Sequence, residues 1–311
     1  MASLKDVGER ELVRRIHGIV RPCDAIGTDD DAAVLDVDGT VVVSTDIVTF
    51  ERHMPKGMSY EQFGWTAAAV NFSDLASMGA RPIGILASLA LPQELDESAV
   101  YDIMNGIDMC AEYCGTNVIG GDTKPGTGII ACTALGTMDG RRPMMRDGAS
   151  AGDVVAVTGP LGSPAAQYNA LMNGIELEDT DALMTPDPKV REGILLSESG
   201  IVTSCMDLSD GLGTALNTIC EQSRVGMEIE YGYIPEGEDV EEISKRTGTP
   251  KKDLLLGWGG EYELVFTFRE DGIRELFDRK IPFTIIGIVT DGSDVLLTED
   301  GKRTKVGYGS Y

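Results

Sequence analysis

The sequence predicts a two-domain α/β protein in which each half combines a mixed sheet with helices, and three observations carry that prediction. Strand-like apolar runs alternate with helical patterns along the whole chain. The 311 residues are enough for two ordinary domains, each with a buried core. A polar, glycine-bearing connection, Arg146-Asp147-Gly148-Ala149-Ser150-Ala151-Gly152-Asp153, interrupts the alternation near its midpoint, which places the halves at 1–150 and 151–311.

Residues 5–20 read as an amphipathic helix, with Leu12, Val13, Ile16, Ile19 and Val20 marking one face. Residues 32–37 and 40–44 flank Asp38-Gly39 and read as a β-hairpin. Ser59 and Gln62 form a capping-box pattern that opens a helix, and Gly79 and Pro82 close it. Within that helix Asn71 and Asp74 stand three residues apart, so both face one side. Residues 83–91 read as a strand, Asp96 caps a helix to about Cys114, residues 116–119 run as a strand into Gly120-Gly121-Asp122, and 129–136 form another strand. In the second half, strands at 154–158, 227–231, 263–268 and 283–289 alternate with helices near 164–173, 210–223 and 238–246.

Charge narrows the function classes. Fifty-one acidic residues against 26 basic ones give a net charge of −25. That argues against nonspecific nucleic-acid binding and against an anionic membrane surface, since both need cationic patches. The N-terminal stretch has no apolar core, and no run approaches eighteen apolar residues, so an unanchored cytoplasmic protein is expected. Six cysteines with two histidines and no CxxC pair point to buried thiols in a reducing cytosol, not to a zinc site.

The chemistry lies in aspartates planted where apolar stretches meet glycine-rich or helical turns: Asp29-Asp30-Asp31-Ala32-Ala33, Ser44-Thr45-Asp46, Asn71-Phe72-Ser73-Asp74, Gly120-Gly121-Asp122-Thr123 and Asp207-Leu208-Ser209-Asp210-Gly211. One such aspartate is an ordinary turn or N-cap residue. Several in similar settings imply converging carboxylates, which repel one another unless a cation neutralises them. Mg²⁺ is the natural choice, a hard ion that takes oxygen ligands and accompanies phosphates. No P-loop is present, and Gly126-Thr127-Gly128 leads into a strand, the wrong context for a dinucleotide fingerprint. Its backbone N–H groups can still wrap a triphosphate. His53, seven residues after Asp46, is a candidate ligand contact in a loop. In Gly257-Trp258-Gly259-Gly260-Glu261-Tyr262-Glu263-Leu264, glycines let the backbone pass close to a neighbour before acidic and aromatic side chains project.

Taken in order, these strings resemble the thiamine-monophosphate kinase family. Its wider superfamily includes aminoimidazole-ribonucleotide synthase, selenophosphate synthetase and a hydrogenase-maturation ATPase. The resemblance implies an aminoimidazole-ribonucleotide-synthase-like fold with an N-terminal α/β domain whose sheet pairs with a second subunit's in a homodimer. A C-terminal α/β domain completes a cleft. It implies ATP-dependent phosphorylation of thiamine monophosphate to thiamine diphosphate with several Mg²⁺ ions. Matching the family's pattern, Asp30, Ser44, Thr45, Asp46, Asp74, Asp122, Asp207 and Asp210 would hold metal, with Asp46, Asp122 and Asp210 central to catalysis. Arg146 and Ser209 would contact ATP phosphates, and His53, Glu261 and Tyr308 would lie toward the thiamine end.

Three departures from the family pattern stand near the site: Asp29 replaces a glycine, Phe50-Glu51-Arg52 replaces an acid-glycine pair before His53, and the Gly-Gly-Glu string is one residue shorter. The implied reaction needs no strong general base, because the accepting phosphate oxygen is already anionic near neutral pH. The alternatives are an aminoimidazole-ribonucleotide synthase-like enzyme and a non-catalytic nucleotide-binding protein. Selenophosphate synthetase and the hydrogenase-maturation ATPase fit less well, since the chain lacks the cysteines that mark them.

Overall fold

The computed structural model describes residues 4–7, 9–21 and 33–308. The chain splits into two compact units, Met1–Leu75 with Arg81–Gly140, and Ala76–Ala80 with Arg141–Tyr311.

The first unit holds α1 (Leu4–Val7), α2 (Glu9–His17), β1 (Val41–Thr49), α3 (Phe50–His53), α4 (Tyr60–Met78), β2 (Arg81–Leu91), α5 (Glu97–Tyr113), β3 (Val118–Pro125) and β4 (Ile129–Thr137); the last turn of α4 counts with the second unit. Its four strands lie in the order β1-β4-β2-β3. β4 runs antiparallel to both neighbours, and β2 and β3 run parallel. Period-two alternation assigns one face to the core. Val48, Ile85, Ala87, Leu89, Ile130, Cys132 and Ala134 are buried, as are Phe63 and Phe72 of α4 and Val100, Ile103 and Ile107 of α5. Val41, Val43 and Ile47 stand exposed on the alternate positions of β1. The expected capping box forms: Ser59 N–H donates to Gln62 Oε1 at 2.9 Å and Gln62 N–H to Ser59 Oγ at 3.1 Å.

The hairpin expected across residues 32–44 does not form. Residues 33–38 carry no strand beyond a single bridge at Val34, and residue 32 lies outside the described residues. β1 pairs instead with β4, from Val41↔Thr137 to Thr49↔Ile129. A nine-residue ladder that buries Val48 outweighs what a local Asp-Gly turn offers. The strand expected to stop at 119 also continues through Gly-Gly-Asp to Pro125.

The second unit holds β5 (Val154–Val157), α6 (Ser163–Met172), α7 (Asp181–Met184), α8 (Val190–Ser199), β6 (Val202–Asp207), α9 (Leu212–Ser223), β7 (Gly226–Glu230), α10 (Val240–Thr247), α11 (Lys251–Leu256), β8 (Leu264–Phe268), α12 (Ile273–Asp278), β9 (Thr284–Thr290), β10 (Val295–Glu299) and β11 (Lys302–Lys305). Its seven-stranded sheet has the order β11-β10-β7-β9-β5-β8-β6. One core includes Val155, Val157, Leu216, Ile219, Met227, Val265 and Leu297. β6 was not expected because Val-Thr-Ser-Cys-Met-Asp reads as polar. Its Ser204 is fully buried, with the hydroxyl 2.7 Å from Thr267 Oγ1, which removes the cost of burying it.

Among the described residues, no helix is long and apolar enough to cross a membrane.

Candidate active site

In the second unit, two motifs some fifty residues apart in sequence become neighbours through main-chain bonds. β6 ends at Asp207, whose register partner on β8 is Leu264. Beyond the ladder the pairing continues: Leu208 N–H donates to Glu263 O at 2.8 Å, Tyr262 N–H to Leu208 O at 3.4 Å, and Gly260 N–H to Ser209 O at 3.0 Å. Close approach explains the glycines. A Cβ on Gly259 would lie 1.8 Å from the Ser209 carbonyl oxygen, a separation no side chain tolerates. Asp207 is buried, Ser209 and Asp210 are half-buried, and α9 begins at Leu212. Trp258 stacks on Tyr168 of α6, with ring centroids 5.1 Å apart and planes 21° apart.

Glu261 and Glu263 are both buried on this turn, yet their surroundings differ. Glu261 Oε1 accepts the Gly162 N–H at 3.2 Å, while Oε2 has no partner among the described residues. With no cation beside it among the described residues, burial pushes Glu261 up to about 8. Glu263 Oε2 accepts from Thr158 Oγ1 at 2.5 Å, and Oε1 lies 3.1 Å from Lys189 Nζ. Burial raises Glu263 as well, and Lys189 opposes that rise. Burial alone would lower Lys189, but Glu263 and Asp187 outweigh it and hold the ammonium firmly charged. Two carboxylates two residues apart are thus pushed apart in acidity by one lysine.

In the first unit, Ser44 Oγ donates to Asp74 Oδ2, and the Asp46 N–H donates to Asn71 Oδ1 at 3.0 Å. The strings 44–46 and 71–74 therefore meet where β1 crosses α4. Thr45 Oγ1 donates to the Cys132 carbonyl at 2.9 Å. Asp122 is exposed, accepts the Thr123 N–H at 2.8 Å, and lies 3.2 Å from Lys124 Nζ. It sits on β3, at the opposite edge of the sheet from Asp46 on β1. Two strands intervene, so the two aspartates are about 14 Å apart at ordinary strand spacing. Register also separates their faces: Asp46 aligns with Cys132 and Ala87, whereas Asp122 aligns with Ser88, Ala131 and Ile47. Beside β3, a cavity of about 330 Å³ opens between α2 and the sheet, lined by apolar Ile16, Val20, Leu89, Met104 and Ile119, by polar His17, Arg21, Asp122 and Thr123, and by Gly120 and Gly121.

The remaining expected residues are more scattered. His53 ends α3, and its Nδ1 accepts the Thr49 N–H at 3.0 Å; partial burial lowers its pKa. Arg146 is exposed in the loop before β5, where its carbonyl accepts from Ser223 Oγ at 3.3 Å. Tyr308 is exposed, with its hydroxyl bonded to Glu221 near the end of α9, which raises its pKa. Asp30 lies outside the described residues.

The expected metal donors in each unit are carboxylate and hydroxyl oxygens, hard ligands that suit Mg²⁺. Among the described residues, no three His, Cys, Asp or Glu side chains gather closely enough to hold a metal ion. The separation of Asp46 from Asp122 is one reason. Sequence reasoning missed Thr158, Lys189 and the pairing role of Glu263. Pro186-Asp187-Pro188-Lys189 signals a rigid approach, but nothing in it names a partner seventy-four residues later.

The comparisons with known proteins agree in family. The model of "AIR synthase related protein, N-terminal domain" matches residues 29–138, and that of "AIR synthase related protein, C-terminal domain" matches residues 150–298. The thiamine-monophosphate kinase of Methanopyrus kandleri is 36% identical over 300 residues, which cover 94% of this chain and 93% of that one. The solved thiamine-monophosphate kinase of Stenotrophomonas maltophilia superposes with a TM-score of 0.81 at 30% identity, covering 94% and 96% of the two chains. A second structure, described as AaThiL complexed with AMPPCP and TMP, gives a TM-score of 0.77 at 25% identity and covers 99% and 98%.

Proposed function

The chain belongs to the thiamine-monophosphate kinase family, within the AIR synthase-related superfamily, and we propose that its aspartates hold Mg²⁺ for the reaction. It is a phosphotransferase that carries the γ-phosphoryl group of ATP to the phosphate of thiamine monophosphate, giving thiamine diphosphate and ADP. The observation that supports this reading of the site best is the main-chain pairing of 208–209 with 260–263. It sets Ser209 and Asp210, the proposed phosphate-end residues, beside Glu261, the proposed acceptor-end residue.

The reaction brings two polyanions into line, and repulsion is its main obstacle. Mg²⁺ supplies screening of that repulsion and stabilisation of charge on the transferring group. Asp46, Asp74, Asp122, Asp207 and Asp210 are its proposed ligands, with Ser44 and Thr45 as neighbouring hydroxyls and Asp30 completing the set. Arg146 and Ser209 are assigned to ATP phosphates. The cavity against Gly120-Gly121-Asp122, part apolar and part polar, supports seating the nucleoside of ATP in the first unit, since its volume suits a small-molecule pocket. Glu261, with His53 and Tyr308, is assigned to thiamine monophosphate. No residue is asked to act as a general base.

A homodimer is part of the reading. Val43 and Ile47 are 58% and 60% exposed on one sheet face, and exposed apolar side chains on a sheet face suit a partner. A second copy of the sheet would cover it. Asp46 and Asp122 stand at opposite edges of the sheet, so a partner subunit's aspartate is the simplest way for both residue types to serve one nucleotide. The reading places the enzyme in the cytoplasm. In support, Cys110, Cys114, Cys132, Cys205 and Cys220 are all free and buried, and burial holds Cys132 at about 12.

The test is formation of ADP and thiamine diphosphate from purified protein, ATP and thiamine monophosphate. Turnover that EDTA abolishes and Mg²⁺ restores is the expected result. ATP binding by calorimetry without turnover of thiamine monophosphate, or turnover unaffected by EDTA, would overturn the site assignment.

A further inference from the structure

We propose that Lys189 is a positioning residue for the phosphate acceptor: it fixes Glu263, and through Glu263 the turn that carries Glu261. This deepens the reading above and rests on the placement of Glu261 toward thiamine monophosphate.

Lys189 does not behave as a loose surface lysine. Its backbone sits in the left-handed region, φ 53°, at the residue that precedes α8, where an L side chain is disfavoured. Asp187 holds it at two points, accepting its N–H at 3.2 Å and its Nζ at 3.0 Å. The ammonium is thereby aimed at Glu263 Oε1, 3.1 Å away. Glu263 is 7% exposed, and a carboxylate so buried needs a counter-charge and filled lone pairs. Lys189 provides the charge, Thr158 fills the other oxygen, and the chain leaves room: a Cβ on Gly159 would lie 2.3 Å from Glu263 Oε1.

Glu263 is also the hinge point of the paired motifs, because its carbonyl receives the Leu208 N–H. Two residues earlier, Glu261 is buried with one oxygen on the Gly162 N–H and the other without a partner among the described residues. An orphaned oxygen on a buried carboxyl is what a hydrogen-bonding group of a bound ligand would satisfy. Without Lys189, Glu263 would either take up a proton, as buried Glu261 does, or swing toward water. In both cases the ionic tether on this turn is lost, and Tyr262 and Glu261 lose their anchor. Lys189 itself touches no substrate in this scheme, so its loss should register on the acceptor alone.

The experiment measures KM for thiamine monophosphate and for ATP separately in Lys189→Met, Lys189→Arg, Glu261→Ala and the double variant Lys189→Met/Glu263→Gln. Expected are a tenfold or larger rise in acceptor KM for Lys189→Met with ATP KM within twofold, and recovery to within threefold in Lys189→Arg. The double variant, which leaves no lone buried charge, should fold and still show a raised acceptor KM because the turn is unpinned. If Lys189→Met does not fold, the double variant carries the test. An acceptor KM at the wild-type value in the folded double variant, or equal rises in both KM values for Lys189→Met, overturns the inference. An unchanged acceptor KM in Glu261→Ala overturns the inference together with the reading beneath it; a raised one beside an unaffected Lys189→Met overturns the inference alone.

Discussion

The hydroxyl of Ser44 donates to Oδ2 of Asp74, tying strand β1 to helix α4 where two acidic strings of the sequence meet. One turn earlier on α4, Asn71 holds the Asp46 N–H. Ser44→Ala should therefore cost about 1 kcal/mol of stability, the value of an ordinary side-chain hydrogen bond. It should also raise the Mg²⁺ concentration needed for half-maximal turnover, because Asp74 loses the group that orients it. Denaturant melts and a Mg²⁺ titration of ADP release check both parts.

Asp46 and Asp122 are exposed, so replacing either by asparagine should leave folding intact while lowering turnover by about 100-fold or more. Their positions at opposite sheet edges add a sharper expectation. Mixed in equal amounts and allowed to exchange subunits, the two inactive variants should recover about a quarter of wild-type activity. Half the dimers are then mixed, and each mixed dimer carries one intact composite site of two. No recovery after verified exchange would mean that both aspartates act within one subunit.

Burial lifts Glu261 to about 8 from an ordinary 4.5, and the sign of the consequence follows. Between those values the folded protein keeps a proton that the unfolded chain has lost. The contribution of Glu261 to stability is therefore greatest below about pH 4.5, falls as pH rises toward 8, and levels beyond it. Glu261→Gln cannot ionise. Its melting temperature relative to wild type should climb across this window, and parallel curves would contradict the environment described for Glu261.

A methyl group on Gly259 would sit 1.8 Å from the Ser209 carbonyl oxygen. Gly259→Ala must force the two motifs apart, at about 3 kcal/mol in stability. Denaturant unfolding gives the cost. Loss of both acceptor and ATP affinity in the folded fraction would separate this variant from Lys189→Met.

Ile47→Glu places a charge in the middle of the exposed apolar face of β1. Sedimentation or light scattering at micromolar concentration should show a dimer for the wild type and a monomer for the variant, since an unpaired buried charge at an interface is strongly unfavourable. A dimer of unchanged mass would assign the interface to another surface.

Much of the fold was legible because its signals are local. Ser59 and Gln62 announced α4 and cap it as expected. The strands at 154–158, 227–231, 263–268 and 283–289 correspond to β5, β7, β8 and β9. What failed was long-range choice. Asp38-Gly39 favours a hairpin locally, yet β1 takes β4 as its partner, across the intervening residues 50–128. β6 hid because its hydroxyls look polar until Thr267 satisfies them.

The site divides in the same way. Asp210 lies on the turn its string implies, just before α9, whereas Asp46 and Asp122 lie inside β1 and β3 and Asp74 inside α4; the contact of Ser44 with Asp74 joins two of the strings. The counter-charge on Glu263 could not be found, because a lysine at the start of one helix and a glutamate before a distant strand share no local pattern. The distance from Asp46 to Asp122 was equally invisible, since strand order is not written in either strand.

The main-chain bonds between 208–209 and 260–263 make these segments one mechanical piece. A ligand held at Ser209 or Asp210 and another held at Glu261 would each shift that piece, and so each would alter the grip on the other. Thermodynamic linkage requires the two effects to be the same factor in either order of addition. Binding order would then be a matter of kinetics alone.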